Sequence, residues 1–244
     1  MTMKNMLEPA YQPIFDLQAE SISHYEALAR IRLDETDRGH GALIDLAERH
    51  KFIQHVDLAM LALVLEAALE HDQDVAVNVS PFTVHVAMES VARMLATYGQ
   101  LAGRLIIEIT ETYPVQDVGR LRRFMAVARE SGARVALDDY GNGRGCFTEA
   151  LVRELEPDFL KLDGAVLKRA IFFGDTRELA LASEMARSFG AELIAEFVDS
   201  PEEVEYLRAA GVRYAQGAAY GMPCRKPAAL ASWPQGVALA AAGA

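Results

Sequence analysis

Cysteine is scarce in this chain of 244 residues, since only Cys146 and Cys224 occur. Two cysteines are too few for a disulfide framework, and residues 1 to 12 show no charged leader followed by an apolar segment. The sequence therefore argues against a small disulfide-stabilised secreted fold. It predicts a protein of the reducing cytoplasm.

Long apolar runs and an excess of positive charge are also missing. The longest uncharged apolar runs, such as residues 58 to 65, are far shorter than the ~20 residues that cross a bilayer, so we expect no membrane insertion. The formal net charge is -11. Because no basic stripe is present to displace counterions, we expect no nucleic acid polymer as a partner. A phosphate substrate would need metal ions to offset this acidity.

No glycine-rich phosphate loop of the Rossmann or Walker type follows the first strands, which disfavours a doubly wound open sheet. Instead, β-branched apolar runs alternate with helical patterns, which is typical of βαβ units and a parallel sheet. The runs lie at residues 75 to 80, 104 to 112, 134 to 141, 157 to 164 and 191 to 200. With a length close to the ~250 residues of such folds, the chain is predicted to be one α/β domain over residues 1 to 244, a (β/α)8 TIM-like barrel.

Polar residues end most of these strands, and in a barrel all the strand C-termini open on one face. They are Glu26, Asn78, Glu108, Glu111, Asp138, Asp139, Lys161, Glu196 and Gln216. Taken singly, each has an ordinary explanation as a turn residue or a surface charge. Together they offer hard oxygen ligands, with no histidine or cysteine cluster suited to zinc or copper. The pattern predicts a metal-dependent site, in which a cation compensates the adjacent Asp138 and Asp139.

Eight short motifs follow one another from residue 11 to residue 223: QPI, EALAR, NVS, EITE, DDYG, LKLD, AEFVD and QGAAYGMP. Their order resembles that of the EAL domain, the cyclic di-GMP phosphodiesterase fold. One such segment alone is weak evidence for the resemblance, whereas eight segments in the family's order are specific evidence for it. The resemblance implies a barrel whose first strand is antiparallel to the others, with a core at about residues 10 to 224 and an Ala-rich tail at residues 236 to 244.

The resemblance also implies two Mg²⁺ or Mn²⁺ ions per site and hydrolysis of cyclic di-GMP to linear pGpG, with Ca²⁺ inhibitory. One ion would be held by Glu26, Asn78, Glu108 and Asp138, and the other by Asp138, Asp139 and Glu196. Lys161 would position the attacking water, and Glu196 would receive its proton. Glu111 would fix the loop that follows Asp139. Similar proteins form homodimers, so a homodimer is expected.

Four residues are predicted substrate contacts, and three of them, Arg30, Gln12 and Gln216, resemble contacts of the family. Arg30 would reach a phosphate of cyclic di-GMP, Gln12 would lie near a guanine, and Gln216 would line the site opposite the metals. Arg144 could add a phosphate contact from the glycine-rich loop. A hydrogen bond to the backbone at the barrel rim is an equally good explanation of Gln12.

Two segments depart from the family pattern. In residues 139 to 147, Arg144, Gly145 and Cys146 replace the tyrosine and two serines of the usual DFGTGYSSL-like loop, and the AEFVD segment has Phe197 where a glycine is usual. These departures leave an alternative function open, that of a catalytically impaired domain acting as a cyclic di-GMP receptor or protein-interaction module. Strand alternation predicts that Phe197 is buried against the helices, so that Phe197→Gly would cost ~3–5 kcal/mol. His24 is predicted to be a surface or packing residue rather than a metal ligand.

Overall fold

The computed structural model describes residues 2–32, 40–141, 143 and 146–225, and in that part of the chain eight strands close into one barrel. The strands are β1 Leu7–Asp16, β2 Ser21–Ile31, β3 Val75–Val79, β4 Leu105–Ile109, β5 Arg134–Tyr140, β6 Phe159–Leu162, β7 Glu192–Ala195 and β8 Tyr214–Gln216. β1 is antiparallel to both of its neighbours, β2 and β8, and every other neighbouring pair is parallel. The predicted TIM-like barrel with an antiparallel first strand is confirmed.

Helices cover the outside of the barrel. They are α1 Met3–Met6, α2 His40–Arg49, α3 Ile53–Ala67, α4 Pro81–Tyr98, α5 Val118–Glu130, α6 Glu149–Leu155, α7 Gly164–Phe173, α8 Arg177–Phe189 and α9 Pro201–Ala210. Local chemistry explains where several of them begin and end. Ser200 and Glu203 form a capping box at the start of α9, and Gly190 takes the left-handed conformation that ends α8.

Strand alternation divides the apolar side chains into two cores. Outward-facing residues such as Val77, Ile107 and Leu160 pack against the helices in the larger core. Inward-facing residues form a smaller cluster inside the barrel, which we call the floor: Ile14, Ala76, Ile106, Ala136, Phe159, Ile194 and Tyr214. The floor closes the end of the barrel opposite to the carboxyl ends of the parallel strands.

His24 belongs with the floor. Its side chain is buried, and its ring centroid lies 5.5 Å from that of Phe159 and 6.2 Å from that of Tyr214. Burial, followed by the nearby charges of Arg134 and Lys161, lowers the pKa of His24 to about 3, which keeps the ring neutral. The prediction that His24 is a packing residue is confirmed.

None of the helices in the described ranges is both long enough and apolar enough to cross a bilayer.

Candidate active site

On each parallel strand, the site residue lies two positions after the floor residue, toward the carboxyl end of the strand. Counting two positions along each parallel strand from Ala76, Ile106, Ala136, Phe159, Ile194 and Tyr214 gives a polar layer, which we call the mouth: Asn78, Glu108, Asp138, Lys161, Glu196 and Gln216. Gln12 on the antiparallel β1 and Glu26 on β2 complete it. Because side chains alternate along a strand, residues two apart share a face, and the sequence pattern therefore converges in space.

Lys161 lies at the centre of the mouth and is completely buried by the acids around it. Its Nζ is 2.8 Å from Asp138 Oδ1, 2.9 Å from Glu108 Oε2, 3.0 Å from Glu196 Oε1 and 3.4 Å from Glu26 Oε2. Burial by itself would lower the pKa of Lys161, but the four carboxylates raise the pKa well above its usual value. Lys161 is therefore a fixed positive charge rather than a proton carrier near neutral pH.

A chain of amide side chains holds Glu26. Asn78 Nδ2 donates to Glu26 Oε1 at 2.7 Å, and Gln216 Nε2 donates to Glu26 Oε2 at 2.7 Å. Gln216 Nε2 also lies 3.2 Å from Gln12 Oε1, and Gln12 Nε2 donates to the Gly221 carbonyl at 3.2 Å. The rim hydrogen bond that was an alternative explanation of Gln12 is thus present. Gln216 contacts a predicted metal ligand directly.

A local irregularity brings two neighbouring aspartates to the same face. Adjacent side chains on a regular strand point in opposite directions, but the pairing of β5 with β6 shifts register between Leu137 and Tyr140. Asp139 also has a left-handed φ of +56°, which aspartate tolerates better than most residues. As a result, ligand atoms of Asp138, Asp139 and Glu196 lie within 4.8 Å of one another.

The carboxyl pKa values record the crowding at the mouth. Burial first, and then the charges of Glu26 and Asp139, raise the pKa of Asp138 to about 6 against the opposing effect of Lys161. Burial, then Asp139 and Asp138, raise the pKa of Glu111 to about 7, and a hydrogen bond to Asp139 adds to the effect. Burial also raises the pKa of Glu108 and Glu196 well above the usual range. The site carries more negative charge than one lysine can balance.

Glu26 is the exception among these acids. Burial would raise its pKa, but Lys161 and the hydrogen bonds from Gln216 and Asn78 lower the pKa below its ordinary value. Glu26 therefore stays ionised while its neighbours compete for protons.

Buried atoms without partners show that the mouth suits a divalent cation. In the part of the chain that the structure describes, Asn78 Oδ1, Glu108 Oε1 and Glu196 Oε2 are buried and accept no hydrogen bond. Such oxygen atoms are costly to bury unless a donor or a cation satisfies them. Carboxylate and amide oxygens are the ligands that Mg²⁺ and Mn²⁺ prefer. The donor set therefore fits a hard divalent ion.

A cleft of about 280 Å³ opens beside the mouth and extends under α2 and α3. Glu26, Asn78, Asp138 and Asp139 line one side of it, and apolar side chains such as Ile53 and Met60 line another. Arg30 and Glu111, which the sequence assigned to substrate contact and loop support, also line this cleft. Arg144, the remaining predicted substrate contact, lies outside the described residues.

Phe197 is where the prediction from the sequence is wrong. Strand β7 ends at Ala195, so the alternation that predicted a buried Phe197 does not continue to it. Its side chain is 56% exposed, and its φ is +53°. Phe197→Gly would consequently remove little buried apolar surface, and the expected loss of ~3–5 kcal/mol does not apply.

Asp57 is a buried acid near the site that sequence reasoning missed. It lies on α3, lines the cleft, and accepts hydrogen bonds from Ser80 N at 2.9 Å and Thr83 Oγ1 at 2.5 Å. These bonds tie α3 to the end of β3, two residues from Asn78. Burial raises the pKa of Asp57 to about 7. One aspartate inside the apolar pattern of α3 was the signal that could have identified it.

Comparison with known proteins agrees with this geometry. The family model described as the EAL domain matches residues 2–223. The cyclic di-GMP phosphodiesterase PdeB of Shewanella oneidensis is 31% identical over 231 residues, which are 90% of this chain and 27% of PdeB. The chain thus spans about a quarter of the length of that relative.

Solved structures share the barrel. BlrP1 of Klebsiella pneumoniae, in a manganese and cyclic di-GMP complex, superposes with a TM-score of 0.73 at 23% identity, over 90% of this chain and 56% of that one. YkuI of Bacillus subtilis, in complex with cyclic di-GMP and calcium, gives a TM-score of 0.77 at 25% identity, over 91% of this chain and 56% of that one. Since the family model extends over nearly the whole described barrel, the chain belongs to the EAL domain family.

Proposed function

We propose that this domain is a metal-dependent phosphodiesterase that hydrolyses cyclic di-GMP to linear pGpG. The observation that carries the proposal is the mouth itself, where four carboxylates surround Lys161 and buried ligand oxygens of Asn78, Glu108 and Glu196 have no hydrogen-bond partner. The similarity to PdeB, a cyclic di-GMP phosphodiesterase, and the cyclic di-GMP bound to BlrP1 and YkuI support the substrate class.

The proposed cofactor is a pair of Mg²⁺ or Mn²⁺ ions. Glu26, Asn78, Glu108 and Asp138 would hold one ion, and Asp138, Asp139 and Glu196 would hold the other. When bound, such ions supply Lewis acidity, which acidifies water and neutralises phosphate charge. The charge count supports a pair of ions. The five carboxylates of the proposed ligand set and the ammonium of Lys161 leave four net negative charges when all are ionised, and two divalent ions carry four positive charges.

Lys161 would orient the water that attacks the phosphate and stabilise the charge that develops on the phosphate oxygens. A fixed ammonium suits this role because its pKa lies well above its ordinary value, so it keeps its proton throughout turnover. Contacts with Asp138, Glu108 and Glu196 at 2.8 to 3.0 Å fix the position of the buried ammonium. The group is pre-positioned before substrate arrives.

Glu196 would accept the proton of the attacking water. Burial raises its pKa well above that of a solvated carboxyl, which makes it a better proton acceptor, and its Oε2 is not occupied by a hydrogen-bond donor. Glu111 would act through Asp139, since the two carboxyl groups share a hydrogen bond. Its role is to hold Asp139 in the left-handed conformation described above.

On the substrate side, Arg30 would bind a phosphate from the wall of the cleft, Gln12 would border a guanine, and Gln216 would line the site opposite the metals. The apolar wall at Ile53 and Met60 suits the face of a base. A homodimer and action in the cytoplasm also belong to the proposal, the first by analogy with similar proteins. The second is supported by two cysteines that are both free thiols.

Purified protein incubated with cyclic di-GMP and Mn²⁺, followed by chromatography, tests the proposal. We expect pGpG to accumulate with Mn²⁺ or Mg²⁺ and not after removal of metal with a chelator. Binding of cyclic di-GMP without any pGpG would refute hydrolysis, and lack of binding would refute the substrate.

Exchange of the metal gives a sharper expectation. Ca²⁺ should occupy the mouth and permit binding of cyclic di-GMP but support less than about 1% of the Mg²⁺ rate. Calcium prefers distances of ~2.3–2.6 Å and magnesium ~2.0–2.1 Å, so the exchange lengthens each ligand distance by ~0.2–0.6 Å. At two ions together this approaches the displacement of ~1 Å that can cost ~100-fold in rate. Comparable pGpG formation in both ions, measured with equal bound substrate, would contradict the two-ion geometry.

A cyclic di-GMP receptor without turnover is the second candidate. The observation that favours it is Phe197, a bulky residue with a left-handed φ of +53° directly after Glu196. If that ring displaces the Glu196 carboxylate from its place, binding would persist while hydrolysis is lost. The same chromatography decides between the two functions.

A further inference from the structure

Phe197 combines an unfavourable backbone conformation with an unfavourable location. A phenylalanine with a φ of +53° is a backbone outlier, and a side chain that is 56% exposed has little burial to compensate for it. Residues held in such conformations cluster at ligand sites, where the surrounding structure imposes the strain. The position directly follows Glu196 at the mouth.

Hydrogen bonds on both sides fix this conformation. Glu196 N donates to the Leu162 carbonyl at 3.1 Å, and Val198 N donates to the Gln216 carbonyl at 3.0 Å. Val198 is fully buried, and its backbone lies so close to Gly217 that a Cβ there would be 2.1 Å from the Val198 oxygen. The chain at Phe197 therefore cannot relax without disrupting both β7 and the segment after β8.

The ring is positioned as firmly as the backbone. A Cβ at Gly164, the first residue of α7, would lie 2.7 Å from Phe197 Cβ and 3.1 Å from ring atom Cδ2. Gly164 thus leaves room for the ring, which covers this glycine with one side and leaves the rest to solvent. Gly164 follows β6, the strand that carries Lys161, so the ring lies on the rim of the mouth.

We propose that Phe197 is a substrate-binding residue that stacks on one base of the cyclic dinucleotide. The inference rests on the proposed function. The acids of the mouth require that the phosphate bind there through cations, whereas Phe197 offers a flat uncharged surface at the adjacent rim. Nucleobases stack on such surfaces, and the stacking is tolerant of base identity because every base has a π-face. Phe197 therefore contributes affinity for a base and leaves the phosphate chemistry to the mouth.

Calorimetry in Ca²⁺ with cyclic di-GMP as the probe tests this role. We expect Phe197→Leu to weaken binding about 5- to 150-fold and Phe197→Tyr to bind like the wild type, because only leucine lacks the π-face. Phe173→Leu is the matched control, since Phe173 is 81% exposed at the end of α7, away from the mouth. That variant should bind like the wild type.

A spectroscopic test does not depend on affinity. Phe197→Trp in a Trp233→Phe background leaves one tryptophan, placed at the proposed stacking position. A stacked guanine should quench its emission when cyclic di-GMP is added, and circular dichroism should show an unchanged fold.

The outcomes separate the two proposals. Wild-type binding with equal affinity in Phe197→Leu, or with unquenched emission in Phe197→Trp, overturns the stacking role and leaves the phosphodiesterase proposal standing. Absence of cyclic di-GMP binding to the wild type overturns the proposed substrate, and the stacking role with it.

Discussion

The floor and the mouth of the barrel are built on the same strands only two residues apart, yet they are opposites in chemistry. The floor consists of apolar side chains and a neutral His24, whereas the mouth contains four acids and one lysine in a comparable degree of burial. The barrel backbone therefore accommodates both polar and apolar layers, because strand alternation places successive layers of side chains in the interior regardless of their chemistry. Stability resides in the floor and in the core beneath the helices, while the mouth is electrostatically unfavourable until cations bind.

β2 shows the contrast within one strand. His24 on the floor has its pKa lowered to about 3 by burial, so it resists protonation. Glu26 at the mouth is equally buried, but Lys161, Gln216 and Asn78 lower its pKa and keep it ionised. Burial favours the neutral form of His24, whose charged neighbours Arg134 and Lys161 are cations, whereas Lys161 and the two amides favour the charged form of Glu26.

Removing a mouth acid should have the largest effect. We expect Asp138→Ala to reduce hydrolysis of cyclic di-GMP about 1000-fold or more, because both proposed ions lose a ligand, and to leave the melting temperature unchanged or higher. Ile106→Val on the floor is the counterpart, with a loss of ~0.5–1.5 kcal/mol in stability and an unchanged rate. Rates and melting curves of both variants check this. Unaltered turnover in Asp138→Ala would show that the mouth is not the metal site.

Lys161→Met converts the mouth into an acidic cluster without a cation. We expect the metal-free variant to lose ~3–5 kcal/mol of unfolding free energy, as when one partner of a buried ion pair is removed, and to regain part of it in Mg²⁺. Lys168→Met, an exposed lysine on α7, is the control and should change stability little. Urea unfolding with and without Mg²⁺ measures both. A metal-free Lys161→Met protein as stable as the wild type would remove the basis for calling the mouth electrostatically unfavourable.

The two layers should respond to pH in opposite directions. Because the folded pKa of His24 is lowered to about 3, its contribution is complete above the ordinary pKa of ~6.5 and is lost as pH falls, by about 2 kcal/mol at pH 5. Asp138 and Glu111 have folded pKa values raised to about 6 and about 7, so their contribution is present at low pH and is lost as pH rises from ~4 through those values.

Urea midpoints of the metal-free protein between pH 4.5 and pH 8 measure these slopes. His24→Leu should remove the loss on the acid side, and Mg²⁺ should remove most of the loss on the alkaline side in the wild type. Asp57, whose pKa burial raises to about 7, should leave a residual alkaline loss that Mg²⁺ does not remove. A His24→Leu protein that loses stability in acid as the wild type does would contradict the floor assignment.

Phe197→Gly should give the smallest effect, a gain of about 1 kcal/mol in unfolding free energy. Glycine adopts a positive φ without strain, and only a partly exposed ring is lost. Thermal unfolding of the variant measures the gain. A loss of ~3 kcal/mol or more would mean that the ring is buried against the wall of the barrel after all, as strand alternation had predicted.

The convergence of the mouth was predictable because strand periodicity is regular. Glu108 and Asp138 are recognisable from the sequence as the polar ends of apolar strands, and the barrel then brings them together. Departures from regularity were not predictable in this way: the bulge that turns Asp139 toward Asp138, and the early end of β7 that exposes Phe197, depend on backbone geometry that a periodic pattern does not encode. The antiparallel β1 followed only from the family resemblance.

Lys161 illustrates a further limit. Its position at a strand end was visible in the sequence, but its contacts with acids on β2, β4 and β5 and with Glu196, which follows β7, depend on barrel closure. Asp57 was missed for the same reason, because its hydrogen-bond partners Ser80 and Thr83 lie more than twenty residues further along the chain. Contacts between residues far apart in the sequence therefore determine the protonation state and the role of such buried ionisable side chains.

The floor also determines how molecules travel. Because Ile14, Ile106, Ile194, Phe159 and Tyr214 fill the lower interior of the described barrel, we expect substrate, water and product to share the entrance at the mouth. If substrate and product use the same entrance, the linear dinucleotide of the proposed reaction must dissociate before the next cyclic molecule can bind. Product that lingers at the mouth would then compete directly with substrate, and turnover would slow as product accumulates even when substrate is plentiful.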